Sequence, residues 1–166
     1  MESFAVRKVA FTGSTSVGKE LYAQASHTMK KVGMELGGNA PLIVFDDADL
    51  DRAVSGVLSC KFRNAGQTCI CCNRVLVQRG MYETFIQELV RQVKELKVGN
   101  SFDPESKIGA LINAQAVDHV HSLVMDAVGK GAEIEVGGAP LDGKGAFYPP
   151  TVLSNVDHTN SRCCQE

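Results

Sequence analysis

Three thiols, two cations and a glycine turn fall within one short stretch, Lys61-Phe62-Arg63-Asn64-Ala65-Gly66-Gln67-Thr68-Cys69-Ile70-Cys71-Cys72. A thiol attacks as its thiolate, which is scarce at neutral pH unless positive charge or backbone donors lower its pKa. Arg63 lies close enough in sequence to supply such charge, so the stretch reads as the loop of a cysteine nucleophile. The alternative is a structural thiol cluster behind a helix end. Glu35 sits in Met34-Glu35-Leu36-Gly37-Gly38, where desolvation inside an apolar alternating stretch would raise its pKa toward that of a general base. A solvated strand-edge glutamate is the other reading. Nucleophile and base together are the partners that acyl-enzyme chemistry needs, one to attack and one to activate the water that releases the acyl group. A third feature, Gly13-Ser14-Thr15-Ser16-Val17-Gly18, could offer backbone N–H groups and a helix end to a pyrophosphate. It does not follow the G-x-G-x-x-G spelling, and such turns also arise for steric reasons alone.

These residues need elements to hold them. Val6 to Phe11 is a short apolar run ending at Thr12-Gly13, and Val17, Leu21, Ala25 and Thr28 recur at helical spacing, so the opening predicts strand, turn and helix. Val32, Met34 and Leu36 alternate, and Leu42 to Phe45 reads as a buried strand. Asp46, Asp47 and Asp49 supply capping carboxylates for a helix striped by Leu50, Ala53, Val54, Val57 and Leu58 and running to about Cys60. Beyond the thiols come a strand at Val75 to Val77 and an amphipathic helix marked by Met81, Phe85, Leu89, Val93 and Leu96 and stopped by Gly99. Asn100 to Lys107 is a loop. Asn113 caps a helix whose inner face is Ala116, Val117, Val120, Leu123, Val124 and Ala127. Ile134 to Val136 and Thr151 to Leu153 are the remaining strands. Strands alternating with helices predict a parallel α/β sheet with right-handed crossovers.

The chain has 166 residues, 44% of them hydrophobic, and a formal charge of −2, enough for one sizeable core and too balanced to recruit nucleic acid or an anionic membrane. No apolar run approaches the roughly eighteen residues of a membrane span. Met1 to Phe4 lacks the basic-then-apolar pattern of a signal peptide. The six cysteines, at 60, 69, 71, 72, 163 and 164, cluster rather than spread, which fits a reducing compartment better than a disulfide framework. They show no paired C-x2-C spacings, and His119 and His121 stand two apart, where a helix points them to different sides, so no metal site is expected.

Taken in order, Phe11-Thr12-Gly13-Ser14-Thr15 with Gly18, Glu35-Leu36-Gly37-Gly38 and Gly66-Gln67-Thr68-Cys69 resemble the aldehyde dehydrogenase superfamily. The wording from Lys61 to Cys71, continuing through Asn73-Arg74, is most similar to its succinate-semialdehyde dehydrogenase branch, and the likeness runs from about Val6 to Val156. The resemblance implies the three-layer parallel α/β sheet of that family's catalytic domain, incomplete, preceded by the last strand–helix unit of a cofactor domain. Residues 1–34 would then belong to the NAD-binding domain, 35–156 to a partial catalytic domain, and 157–166 to a divergent tail. It implies Cys69 as nucleophile, Glu35 as base for the hydrolytic water, and NAD or NADP held over Gly13, Ser14, Thr15, Ser16, Val17 and Gly18. Arg63 would grip the distal carboxylate of succinic semialdehyde, an intermediate of 4-aminobutyrate breakdown, or of a near relative such as glutarate semialdehyde. Cys71 would be a redox partner able to form a disulfide with Cys69. Cys72, Cys163 and Cys164 receive no role from the resemblance.

The same resemblance implies missing parts: the asparagine of the oxyanion hole, most of the cofactor sheet, the glutamate that holds the nicotinamide ribose, and the strands through which family members form homo-oligomers. Losing one oxyanion donor alone costs about a hundred- to a thousand-fold in rate, so weak or absent turnover is expected. A non-catalytic isoform that associates with full-length subunits is the expectation from a different class. The location the resemblance implies is mitochondrial if the chain is eukaryotic and cytoplasmic otherwise.

Overall fold

The computed structural model describes residues 2–143 and 145–165, and the chain divides into two compact units, one running to Gly38 and one beginning at Asn39. In the first unit, β1 (Lys8–Thr12), α1 (Thr15–Ser26) and β2 (Lys31–Glu35) form a parallel strand–helix–strand motif in which Lys8 pairs with Lys31 and Thr12 with Glu35. The Ser14 side chain starts the helix by accepting the Val17 N–H at 3.4 Å. Gly18 and Ala25 form its buried stripe. Lys30 is a buried cation made tolerable by two carbonyls, with Nζ donating to Ser3 O and Val6 O, each at 2.7 Å.

The second unit repeats the motif and then departs from it. β3 (Ala40–Val44) and β4 (Cys72–Val77) are parallel, joined through α2 (Leu50–Lys61), and α3 (Arg79–Val93) follows at once. Asp49 caps α2 by accepting the Arg52 N–H at 2.9 Å. The expected stripes meet in one core of Val44, Val54, Val57, Phe85, Leu89 and Val93. Leu96 lies beyond the last turn of α3, in a tight turn where its N–H reaches Val93 O at 3.1 Å. The 100–107 loop is closed at its base, where Gly99 N–H donates to Ile108 O at 2.9 Å. α4 (Ala114–Gly129) is capped by Asn113, whose side chain accepts the Ala116 N–H at 2.9 Å, and buries Val117, Val124 and Ala127.

Two features differ from the sequence expectation. β5 (Glu133–Val136) and β6 (Val152–Ser154) pair antiparallel, so the all-parallel pattern does not extend to them. Among its described residues the connection between them contains no helix to make a crossover, and it turns back through Gly137 and Gly138, both at positive φ. The strands also form, among the described residues, three two-stranded ladders rather than one continuous sheet. Residues 157–165, expected to be a divergent tail, are built onto α4. Asp157 accepts the N–H groups of Thr159 and Asn160, Arg162 N–H donates to Asp126 at 2.8 Å, and Ser161 is fully buried.

Candidate active site

Cys69 lies on a turn beyond the end of α2, and the chain takes an uncommon path to reach it. After Phe62, whose N–H closes α2 on Leu58 O at 3.1 Å, three successive residues are left-handed: Asn64 at φ 52°, Ala65 at 55° and Gly66 at 78°. Only glycine adopts this region freely; other residues cost roughly 1–2 kcal/mol each, so something must hold Asn64 and Ala65 there. Side-chain amides do so. Asn64 Nδ2 donates to Gln67 O at 3.1 Å, and Gln67 Nε2 donates back to Asn64 O at 3.1 Å. Gln67 also reaches the 110–112 segment, where its Oε1 accepts the Ile112 N–H at 2.9 Å and its Nε2 lies 3.4 Å from Ala110 O.

The next turn closes with Cys71 N–H on Thr68 O at 3.4 Å, leaving Cys69 and Ile70 exposed at its tip. Cys71 is buried and faces inward, with Sγ 3.0 Å from both Gly66 O and Thr68 O. Lys61 braces this inner side: Nζ donates to Asn73 Oδ1 at 2.6 Å and lies 3.9 Å from Cys71 Sγ. Cys72 is buried, and its thiol is pushed up to about 11, first by burial and then by its hydrogen bond with Cys60. That thiol stays protonated at neutral pH, and Cys163, pushed up to about 11 by burial and then by Cys164, does the same. All six cysteines are free thiols, and Cys69 is the exposed one. Arg63 is exposed beside the same turn, and among the described residues its guanidinium has no hydrogen-bond or ion-pair partner.

In the first unit the strand-to-helix turn and Glu35 come together. Gly13 N–H donates to the Glu35 carbonyl at 3.1 Å, placing the turn beside the C-terminal end of β2. The Glu35 side chain is exposed, so the desolvation expected from the apolar alternation is not present in this chain. Val32, Met34 and Leu36 share one face of the strand and Glu35 belongs to the opposite one. The turn fits the phosphates of a dinucleotide. Ser14 and Ser16 hydroxyls lie 3.2 Å apart at the start of α1, its first turn carries no acidic side chain, and a Cβ at Gly13 would run into the Phe11 ring. Gly18 is needed for packing, since its Cβ would lie 2.5 Å from Leu36 Cδ2.

The sequence reading passed over Gln67, Lys61 and Asn73 as positioning groups. The first had a local signal, an amide three residues after Asn64 in a loop without regular hydrogen bonds; the others depend on how α2 and β4 are brought together.

Such a loop, with one exposed thiol on a braced turn, is joined in the same chain by a serine- and glycine-lined helix start, and the sequence profile of the aldehyde dehydrogenase family matches residues 1–166, the expected divergent tail included. The chain belongs to that family. It is 52% identical over 158 residues to the mitochondrial succinate-semialdehyde dehydrogenase of Oryza sativa subsp. japonica, covering 95% of this chain and 30% of that protein. It is 50% identical over 151 residues to the glutarate-semialdehyde dehydrogenase of Pseudomonas aeruginosa PAO1, covering 91% of this chain and 31% of that one. The crystal structure of succinate-semialdehyde dehydrogenase from Burkholderia pseudomallei superposes with a TM-score of 0.91 at 48% identity, covering 95% of this chain and 33% of that chain. This chain therefore spans about a third of the length of these relatives.

Proposed function

We propose that this chain carries the nucleophile loop and part of the cofactor site of a dehydrogenase that oxidises a short semialdehyde with a distal carboxylate, succinic semialdehyde first. The observation that carries the reading is the exposure of Cys69 on a braced turn while Cys71 and Cys72 are buried. Residues 1–34 are assigned to the cofactor-binding domain and 35–156 to the catalytic domain.

The Cys69 thiolate adds to the aldehyde carbon, converting the carbonyl to a thiohemiacetal. NAD or NADP, when bound, supplies the acceptor for the hydride that leaves this carbon. Loss of the hydride leaves a thioester on Cys69. Glu35 then takes a proton from water, whose oxygen attacks the thioester and displaces the Cys69 sulfur, giving the carboxylic acid and the free thiolate. Arg63 presents its planar fork to the distal carboxylate, and Gln67 keeps the turn that carries Cys69 in place. The serine hydroxyls and helix start at Gly13 to Gly18 hold the cofactor phosphates.

The test is reduced-cofactor formation by the purified chain with succinic semialdehyde and NAD or NADP, together with the intact mass of an acyl group on Cys69. Cys69→Ala should remove at least ~10³-fold of that activity, and Arg63→Ala should raise KM for the charged aldehyde by ~10–100-fold while sparing an uncharged aldehyde of equal length. Turnover or an acyl group that survives Cys69→Ala sinks the reading, whereas absence of both the reduced cofactor and the acyl group favours the non-catalytic chain instead. Glutarate semialdehyde is the second substrate to examine, because a guanidinium reads a carboxylate rather than a chain length and a relative of 50% identity bears that name. The ratio of kcat/KM for the two semialdehydes decides between them.

A further inference from the structure

Cys60 and Cys72 belong to neither the proposed chemistry nor the exposed turn, yet they are the best placed thiols in the nucleophile region. Cys60 is in the last turn of α2 and Cys72 is the first residue of β4, so both stand on rigid elements rather than on the loop between them. Cys72 N–H donates to Cys60 Sγ at 3.2 Å, which sets the Cys60 sulfur against the backbone of Cys72. Cys60 Sγ also lies 3.7 Å from Ile70 O, across the base of the loop. Cys60 is half-buried and within reach of a small oxidant, whereas Cys72 is buried behind it. By contrast, Cys69 points outward and Cys71 inward, where its thiol would have to leave the Gly66 and Thr68 carbonyls before it could pair with Cys69.

We propose that Cys60 and Cys72 form a reversible disulfide under peroxide, closing the base of the nucleophile loop and leaving Cys69 free. Cys60, as thiolate, attacks one peroxide oxygen, breaking the O–O bond; its sulfur becomes a sulfenic acid and the other oxygen leaves as water. The Cys72 thiol then attacks the Cys60 sulfur, passing its proton to the sulfenic oxygen as the S–S bond forms, and that oxygen leaves as a second water. The two thiol protons end in the two waters, and hydrogen peroxide is reduced by the two electrons that the thiols lose. A dithiol such as dithiothreitol returns both residues to thiols.

The experiment treats the intact 166-residue chain with limiting hydrogen peroxide, alkylates the remaining thiols and maps the tryptic peptides without reduction. Peptide Ala53–Lys61 should be recovered joined to Asn64–Arg74, with alkylated Cys69 and Cys71 in the latter, and dithiothreitol should separate them. Fragmentation of the joined pair locates the bond directly in the wild-type chain. Cys72→Ser should abolish the joined peptide and Cys71→Ser should preserve it. Recovery of Ala53–Lys61 only with Cys60 alkylated, while other thiols have oxidised, overturns the proposal; so does a bond from Cys60 to Cys69 or Cys71. A Cys69–Cys71 bond with Cys60 alkylated would identify the loop's own pair as the redox site instead.

Discussion

The two turns that carry the candidate chemistry both depend on glycine, for opposite reasons. Gly13 and Gly18 flank the start of α1 with negative φ; what they provide is space, because a Cβ on either would enter the Phe11 ring or the Leu36 side chain. Around Gly66 a Cβ would fit tightly without overlap, 3.1 Å from Lys61 Nζ and 3.3 Å from Lys61 O, but the residue stands at φ 78°. One turn is shaped by close packing, which brings backbone N–H groups to the surface at a helix start. The other is shaped by backbone conformation, and because Asn64 and Ala65 share the left-handed region without glycine's freedom, it needs the Asn64 and Gln67 amides to hold it. A phosphate cradle can be built from sterics alone, whereas a projecting nucleophile requires a backbone path that must be braced.

The largest effect expected from this contrast is at Gly18. Gly18→Val puts branched carbon into the space occupied by Leu36 on the buried face of α1 and should destabilise the first unit by about 1–3 kcal/mol. Hydrogen exchange at the β2 amides, Val32 to Glu35, reads this locally, and unchanged protection would remove sterics as the reason for glycine there. Gly66→Ala should cost somewhat less, about 1–2 kcal/mol, through the left-handed backbone. Gly66→Asn sharpens the test. Asparagine tolerates φ > 0 better than alanine, and the nearest obstacle, the Lys61 ammonium, can move, so Asn should recover part of the loss at 66. At Gly18 size decides, and Asn should be no better than Val. The amides of Gln67 and Cys71 report on the second turn, and Asn equal to or worse than Ala at 66 would break the comparison.

Much of this was legible in the sequence, for identifiable reasons. Val54, Val57, Phe85, Leu89 and Val93 were placed by helical periodicity, and they form the core. Asp49 and Asn113 were recognisable as caps because short polar side chains preceded apolar stripes, and both accept the expected N–H. The path through Asn64 and Ala65 was not legible, since alanine carries no signal for a left-handed backbone and the Asn64–Gln67 amide pair that braces it is anchored by Gln67 on the distant 110–112 segment. Glu35 carried two readings, a desolvated base and a solvated strand-edge carboxylate, and its exposure fits the second, because the alternation that groups Val32, Met34 and Leu36 assigns it to the other face. The β5–β6 pairing could not be seen locally, because a buried parallel strand and a short antiparallel one share the same apolar run until the connection between them is known. Nor could the docking of 157–165, which depends on Asp126 and Lys130 far earlier in the chain.

That docking offers the smallest and most selective of the expected effects. The side chains bracing the two candidate turns do not titrate in acid: the Ser14 hydroxyl in one, and the Asn64 and Gln67 amides with the Lys61 ammonium in the other. The 157–165 segment instead rests on carboxylates. Asp126 is held below the usual carboxylate range by its hydrogen bond from Lys130 and then by the Arg162 N–H, and Asp157 by the Asn160 side chain and then by the Thr159 N–H. A carboxyl whose folded pKa is depressed contributes stability that is full above its unfolded value and is lost as pH falls through the folded one. The window therefore opens near the ordinary aspartate value of 3.8 and extends below it. Acidification should accordingly shift the Arg162 amide resonance with a midpoint below 3.8, while the Gly13 and Gln67 amides keep their positions through the same range. Asp126→Asn should abolish most of the Arg162 titration. A midpoint at or above 3.8, or loss of the Gln67 amide's protection in step with Arg162, would mean that the nucleophile turn and the C-terminal segment share one acid-sensitive support rather than two separate ones.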